Sequence, residues 1–182
     1  MSTFELRKKF LAIARTNVGK VETSKNQASW IKPLWTATNY PAGYAERQPY
    51  CAAGMAWALR EWLKDPEVLK ALNLTAAQAE KWRCKSASCF HADNSWETWA
   101  RQNSLLLPKT TVVLHAGDLI IYSFSHIEMY VDDLPGNKFT AIGYNTGGGP
   151  VSPDGTVSRD GDGCFEKPRS RAKIRSIIRM LP

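Results

Sequence analysis

No stretch of this 182-residue sequence runs uncharged for long enough to cross a membrane, which takes about 20 apolar residues. Residues 1–15 break every apolar run with Glu5, Arg7, Lys8, Lys9 or Arg15, which excludes the core of a signal peptide. Synthesis in a cytoplasm without a signal peptide is the expectation, and export then needs another route. The arginine-rich runs, zinc fingers and RNA-binding signatures of nucleic-acid proteins are missing, so no nucleic-acid partner is expected. Cys51, Cys84, Cys89 and Cys164 have no zinc-ligand spacing, and neither a metal nor an organic cofactor is expected. Asp160-Gly161-Asp162-Gly163 supplies part of a calcium loop without the remaining ligands or the closing Glu, and reads as a turn. The absence of internal repeats and low-complexity tracts excludes a solenoid.

What is present is a globular composition, 43% hydrophobic with seven Trp, enough for one core and one domain over residues 1–182. A monomer is expected. The net charge of +7 suits an anionic polymer or surface, or is simply a solvated basic exterior. Thiols stay reduced in a cytoplasm by default, and two of Cys84, Cys89 and Cys164 are candidates for a bridge after release. Most of the tryptophans read as packing, with a sugar-stacking platform as the other use.

Helical patterns fill residues 1–104. Ser2-Thr3-Phe4-Glu5 reads as a capping box before a helix carrying Leu6, Phe10 and Ile13 on one face and ending near Gly19. Residues 22–48 read as a long ordered loop anchored by Trp30 and Trp35. Asp65-Pro66-Glu67 and the box from Thr75 to Gln78 open two short helices, and residues 94–103 form another. From about residue 110 the period changes to strands: 118–122 and 126–131 as a hairpin, 138–144 next, turn-rich stretches at 147–150 and 153–163, and a basic final strand at 172–180, expected at a sheet edge. Helices first and antiparallel strands afterwards is an α+β order.

The central stretch is Pro49-Tyr50-Cys51-Ala52-Ala53-Gly54-Met55-Ala56. Ala52, Met55, Ala56, Leu59, Trp62 and Leu63 fall on one helical stripe, and Pro49 places the helix start at Tyr50 or Cys51. A thiol in the first turn meets unpaired N–H groups and the positive dipole end, which favour a thiolate. The stretch fits a nucleophile and an ordinary buried cysteine alike. In the strand from His126, alternation puts Ile127, Met129 and Val131 on one face and His126, Glu128 and Tyr130 on the other. Asn145 follows the next strand on the side opposite Ile142, within reach of His126. Cys, His and Asn in this order have a chemical logic: a nucleophilic thiolate, an imidazole that protonates the leaving amine, and an amide that orients the ring.

Tyr50-Cys51-Ala52-Ala53 opening a helix, Ala116-Gly117-Asp118-Leu119-Ile120-Ile121, Ser125-His126-Ile127-Glu128-Met129-Tyr130-Val131 and Gly143-Tyr144-Asn145 together resemble the CHAP-type and NlpC-like cell-wall cysteine peptidases and amidases. The resemblance covers roughly residues 12–145. It implies a papain-like α+β fold, with N-terminal helices packed on a C-terminal antiparallel sheet or half-barrel. It also implies hydrolysis of an amide or peptide bond of bacterial peptidoglycan, with Cys51 as nucleophile, His126 as base and Asn145 as the polar third residue. Glu128, Tyr50 and Gln48 are accessory candidates. Many members carry a carboxylate two places before the asparagine, where this chain has Gly143. They often have Gln directly before the cysteine, where it has Tyr50, with Gln48 two places further back. The Cys51 N–H is the first choice for the oxyanion donor. Such an enzyme acts at the wall or periplasm after release or injection, as a phage lysis enzyme or a secreted antibacterial effector; the latter implies an immunity protein. The competing classes are a non-catalytic wall or carbohydrate binder on the same fold and a cysteine protease with a protein substrate.

Overall fold

The computed structural model describes residues 1–110, 113–149 and 161–181. Helix α1 (Thr3–Arg15) begins where the Ser2 hydroxyl accepts the Glu5 N–H at 3.3 Å, and it buries Leu6, Phe10, Leu11 and Ala14. Ile13, expected on that face, is only partly buried. The chain turns at Gly19, whose φ of 87° favours a residue without Cβ.

The stretch read as loop between residues 22 and 48 contains a short helix, α2 (Lys32–Trp35), and a 3-10 turn at Pro41–Gly43. Both carry proline in the first turn, where a missing N–H leaves no intrahelical bond unmade. Helix α3 (Cys51–Trp62) is the centre of the helical layer, buried on nearly every side. Trp62 stacks on Phe10 at 4.8 Å and donates its indole N–H to the Leu6 carbonyl at 2.9 Å, which locks α1 against α3. Asp65 caps α4 (Pro66–Ala71), Thr75 and Gln78 cap α5 (Ala76–Trp82) reciprocally, and Ser95 caps α6 (Trp96–Gln102). Trp35, Trp62 and Trp96 are fully buried, as packing residues. Among the described residues no helix is long and apolar enough to cross a membrane.

The strands are β1 (Leu106–Leu107), β2 (Leu119–Tyr122), β3 (His126–Leu134), β4 (Lys138–Thr146), β5 (Gly163–Ser170) and β6 (Ile174–Ile178). They form one antiparallel sheet in the order β1-β6-β2-β3-β4-β5. With every α-helix of the described residues preceding every strand, the architecture is α+β. Residues Leu119, Ile121, Ile127, Met129, Ile142 and Tyr144 join the large core shared with the helices. Ile120, Tyr122, Tyr130, Phe139 and Ala141 form a second cluster on the other face.

Two sheet expectations change. The basic last strand is not an edge: β6 lies between β1 and β2, although β1 covers only Ile177 and Ile178. Two of the basic residues are paired, Arg175 with Glu97 and Arg179, just past the strand, with Asp118. The edge beyond β4 is instead β5, which starts at the last residue of the stretch read as turns and otherwise fills residues the sequence left unassigned. Pro168 sits inside it, which an edge strand tolerates because one row of its backbone groups needs no partner. Of the turn-rich stretches, residue 150 of the first and residues 153–160 of the second lie outside the described residues.

Gly54 marks where α3 and β4 touch, because a Cβ there would overlap the Tyr144 ring. Gly54→Ala gains helix propensity worth about 1 kcal/mol but overpacks the contact at about 1–3 kcal/mol. A lower urea midpoint is therefore expected; an unchanged or raised one would refute the close approach.

Candidate active site

Cys51 is the first residue of α3, and the preceding Tyr50 offers no side-chain cap. The first-turn N–H groups and the helix dipole are left to act on whatever anion lies there. The Cys51 thiol is 4% exposed. Its pKa is held well below the ordinary thiol value, chiefly by a hydrogen bond from Cys89. Burial opposes this, and the charge and hydrogen bond of His126 together with the Ile127 N–H add to the lowering. Cys84 and Cys164, equally buried, move the other way, Cys84 up to about 12, because burial is the largest influence on each. All four cysteines are unbridged in this structure.

His126 opens β3 after Ser125, whose φ of 62° turns the hairpin, and it pairs across the ladder with Tyr122. Its ring belongs to a stack with Tyr122 and Phe124, at centroid distances of 6.2 and 6.0 Å. Nε2 donates to Glu128 Oε1 at 3.1 Å, and Nδ1 is buried with no hydrogen-bond partner among the described residues. Burial disfavours the imidazolium, but Cys51 first and Glu128 second outweigh it and raise His126 to about 9.

Glu128 has no solvent exposure. Arg169 grips it with two bonds, Nε to Oε2 and Nη2 to Oε1, each 2.6 Å. Tyr122 donates to Oε2 at 2.9 Å and Thr146 to Oε1 at 3.1 Å. Burial alone would protonate this carboxyl; Arg169 and His126 instead hold it well below the usual carboxylate range. Tyr122 stays a neutral donor, since burial and Glu128 push its phenol up.

The ring bond assigned to Asn145 by sequence is therefore held by Glu128, named there only as an accessory. Asn145 sits in a bulge of β4, at a φ of 53°, where the register slips between Tyr144 and Thr146. The extra residue resets the alternation, so that Thr146 takes the place beside Glu128. Gly143 pairs with Glu128, and a Cβ there would overlap the Glu128 carboxyl. The position where the resembled family carries an acid is thus empty of side chain because the acid reaches it from β3. Tyr50 is buried, with its phenol pushed up by burial and by Glu22, and Gln48 is exposed. Neither contributes to the contacts that hold the His126 ring. Arg169 and Thr146 escaped sequence reasoning. Tyr122 was legible in principle, because the hairpin pairs it with His126.

Among the described residues no group of three or more His, Cys, Asp or Glu could hold a metal ion. No protein-family model, curated protein or solved structure matches the chain. The site combines a thiol of lowered pKa and an imidazole of raised pKa, backed by a carboxylate that a guanidinium fixes.

Alkylation of Cys51 by iodoacetamide, followed by peptide mass spectrometry, is expected to persist well below pH 8. In His126→Ala its midpoint should climb toward the free-thiol value of about 8.5. A wild-type midpoint already at that value, unmoved by the substitution, would make Cys51 an ordinary buried thiol.

Proposed function

We propose that this chain is a cysteine hydrolase cleaving an amide or peptide bond of bacterial peptidoglycan, on a papain-like fold. The observation that carries the chemistry is the buried succession Cys51, His126, Glu128, in which Glu128 bonds the ring and the ring lowers the Cys51 pKa through its charge. The wall substrate is supported by the resemblance of the motifs around Cys51, His126 and Asn145 to cell-wall peptidases. The net charge of +7 adds support, since it favours an anionic polymer.

In this mechanism the Cys51 sulfur attacks the scissile carbonyl and forms an S–C bond, and the developing oxyanion is met by the Cys51 N–H at the start of α3. His126 gives its proton to the departing amine as the C–N bond breaks, leaving a thioester. A water molecule then loses a proton to His126 and attacks the thioester, and the Cys51 sulfur leaves. Glu128 keeps the ring oriented and favours the imidazolium through both steps. Because Arg169 keeps Glu128 anionic, the proton stays on the imidazole.

Zymograms of purified wall should clear with the wild type and not with Cys51→Ala, and mass spectrometry of the released muropeptides identifies the bond. His126→Ala should lose on the order of 10³-fold or more in turnover. Glu128→Gln should lose about 10²–10⁴-fold, and more than Asn145→Ala. A folded Glu128→Gln with wild-type turnover beside an inactive Asn145→Ala would return the third role to the asparagine.

The pH profile separates the two partners. Turnover should fall as pH rises through about 9, the His126 value, because the proton donor is lost. Alkylation of Cys51, which needs only the thiolate, should not fall there. A parallel decline of both would refute the general-acid role.

A further inference from the structure

A cavity of about 460 Å³, within the size range of small-ligand sites, lies at the end of β3 opposite His126. Leu134, which borders it, is about 26 Å from His126 along the strand, at about 3.3 Å per residue. Three stretches wall the cavity: the segment after β1, the turn between β3 and β4, and the 3-10 turn Arg171–Lys173 with the start of β6. Three of the lining side chains are cations, Lys109, Lys138 and Arg171, and one is an acid, Asp133. Arg171 is already committed. Its Nη2 donates to Asp133 Oδ1, its guanidinium lies 5.9 Å from the centre of the Phe139 ring, and its N–H donates to the Asn137 carbonyl at 3.1 Å. Among the described residues neither Lys109 nor Lys138 has a carboxylate partner. The cavity thus holds two uncompensated ammonium groups beside one ion pair that is neutral in itself.

We propose that this cavity binds a phosphate of a polyol-phosphate polymer of the bacterial wall, and so holds the enzyme to wall that it cuts elsewhere. The holding role rests on the proposed hydrolase; binding of the phosphate does not. Phosphate is favoured over carboxylate by the state of the cations. A planar carboxylate is matched best by the fork of a guanidinium, and the Arg171 fork is turned to Asp133. Lysine ammonium groups are compact charges with three donors each, suited to the several oxygens of a phosphate. Thr110 and Asn137 add neutral donors, and Leu134 and Ile174 offer apolar surface to the carbon chain between phosphates. A membrane fits less well, because Leu134 is the only strongly exposed apolar side chain at the cavity among the described residues, and interfacial docking takes a broad apolar face.

The separation from His126 decides what such a contact does. It is made equally in the ground state and the transition state, so it lowers the wall concentration needed for half-maximal rate and leaves turnover unchanged. On a repeating polymer, a second point of attachment also raises the effective concentration of scissile bonds at Cys51. Lys109 and Lys138 are exposed, so salt screens the attraction and binding weakens as ionic strength rises.

The test titrates the full nitrogen-15-labelled chain with glycerol 3-phosphate, and with acetate at matched ionic strength, following backbone amides by NMR. Leu134, Asn137, Lys138 and Arg171 should shift saturably with the phosphate and not with acetate. The double variant Lys109→Gln/Lys138→Gln should bind about tenfold more weakly, having lost two charge-assisted contacts. Shifts that do not saturate, an equal response to acetate, or an unchanged double variant would overturn the site. A second arm sediments Cys51→Ala, which leaves the wall intact, with phosphate-bearing wall, with the same wall stripped of its phosphate polymer, and with phosphatidylglycerol vesicles. Binding should be confined to the first and fall with Lys109→Gln/Lys138→Gln. Preference for the vesicles would overturn the wall as the source of the phosphate. Lys70→Gln/Lys81→Gln removes the same charge from α4 and α5, and an equal loss there would overturn the cavity in favour of net charge. A wild type that binds glycerol 3-phosphate but clears no wall counts against the hydrolase alone; one that clears wall without binding it counts against the cavity alone.

Discussion

A full negative charge with no access to water is the constraint on which this molecule turns. Taking a carboxylate into a protein interior costs several kcal/mol even after the surroundings relax, unless opposite charge and hydrogen bonds replace the lost water. Glu128 receives both from four strands at once: Tyr122 from β2, His126 from β3, Thr146 from β4 and Arg169 from β5. The site and the sheet are consequently one object. If β5 were to leave, the carboxylate would lose its guanidinium, and if β4 were to slip, it would lose the space over Gly143.

The same constraint explains how several charges can be buried side by side. Arg169, Glu128, His126 and Cys51 alternate in sign, plus, minus, plus, minus, so the row sums to zero and each member faces an opposite one. Each charge favours the next: the anionic Glu128 raises His126, and the imidazolium lowers Cys51. In a dry interior such pairings are far stronger than they would be in water. Cys84 and Cys164 show the other outcome, thiols buried without an opposite charge of that strength and held protonated.

Delivery of the thiol to this row depends on α3. It enters the core beneath the sheet with its N-terminus at the start of β3, close enough for the Ile127 N–H to reach the sulfur. Gly54 allows the helix to lie against Tyr144, while Trp62 at its far end is held by Phe10 and Leu6 of α1. A helix held at both ends places its first residue with little freedom, which a nucleophile requires.

Much of this was legible in the residues alone. Capping at Ser2, Asp65 and Thr75, the break at Pro49, the apolar stripe from Ala52 and the period-two run from His126 are local signals, and local physics acted on them. Cys51 at a helix start, and Glu128 two residues after His126 on one strand face, follow from periodicity. The place of Asn145 did not, because the bulge there overrides the alternation, and a bulge is chosen by pairing with β5. Nor did Arg169, whose strand contains Pro168 and several charges and reads locally as loop; only a carboxylate waiting on the neighbouring strands makes it a buried residue. The sequence by itself determined most of the helices, the strands β2 to β4, and where the thiol and imidazole begin theirs, since those follow from neighbours along the chain. Which charges meet in the dark of the core was decided by tertiary structure alone, since the price of burying a charge depends on partners that are distant in sequence.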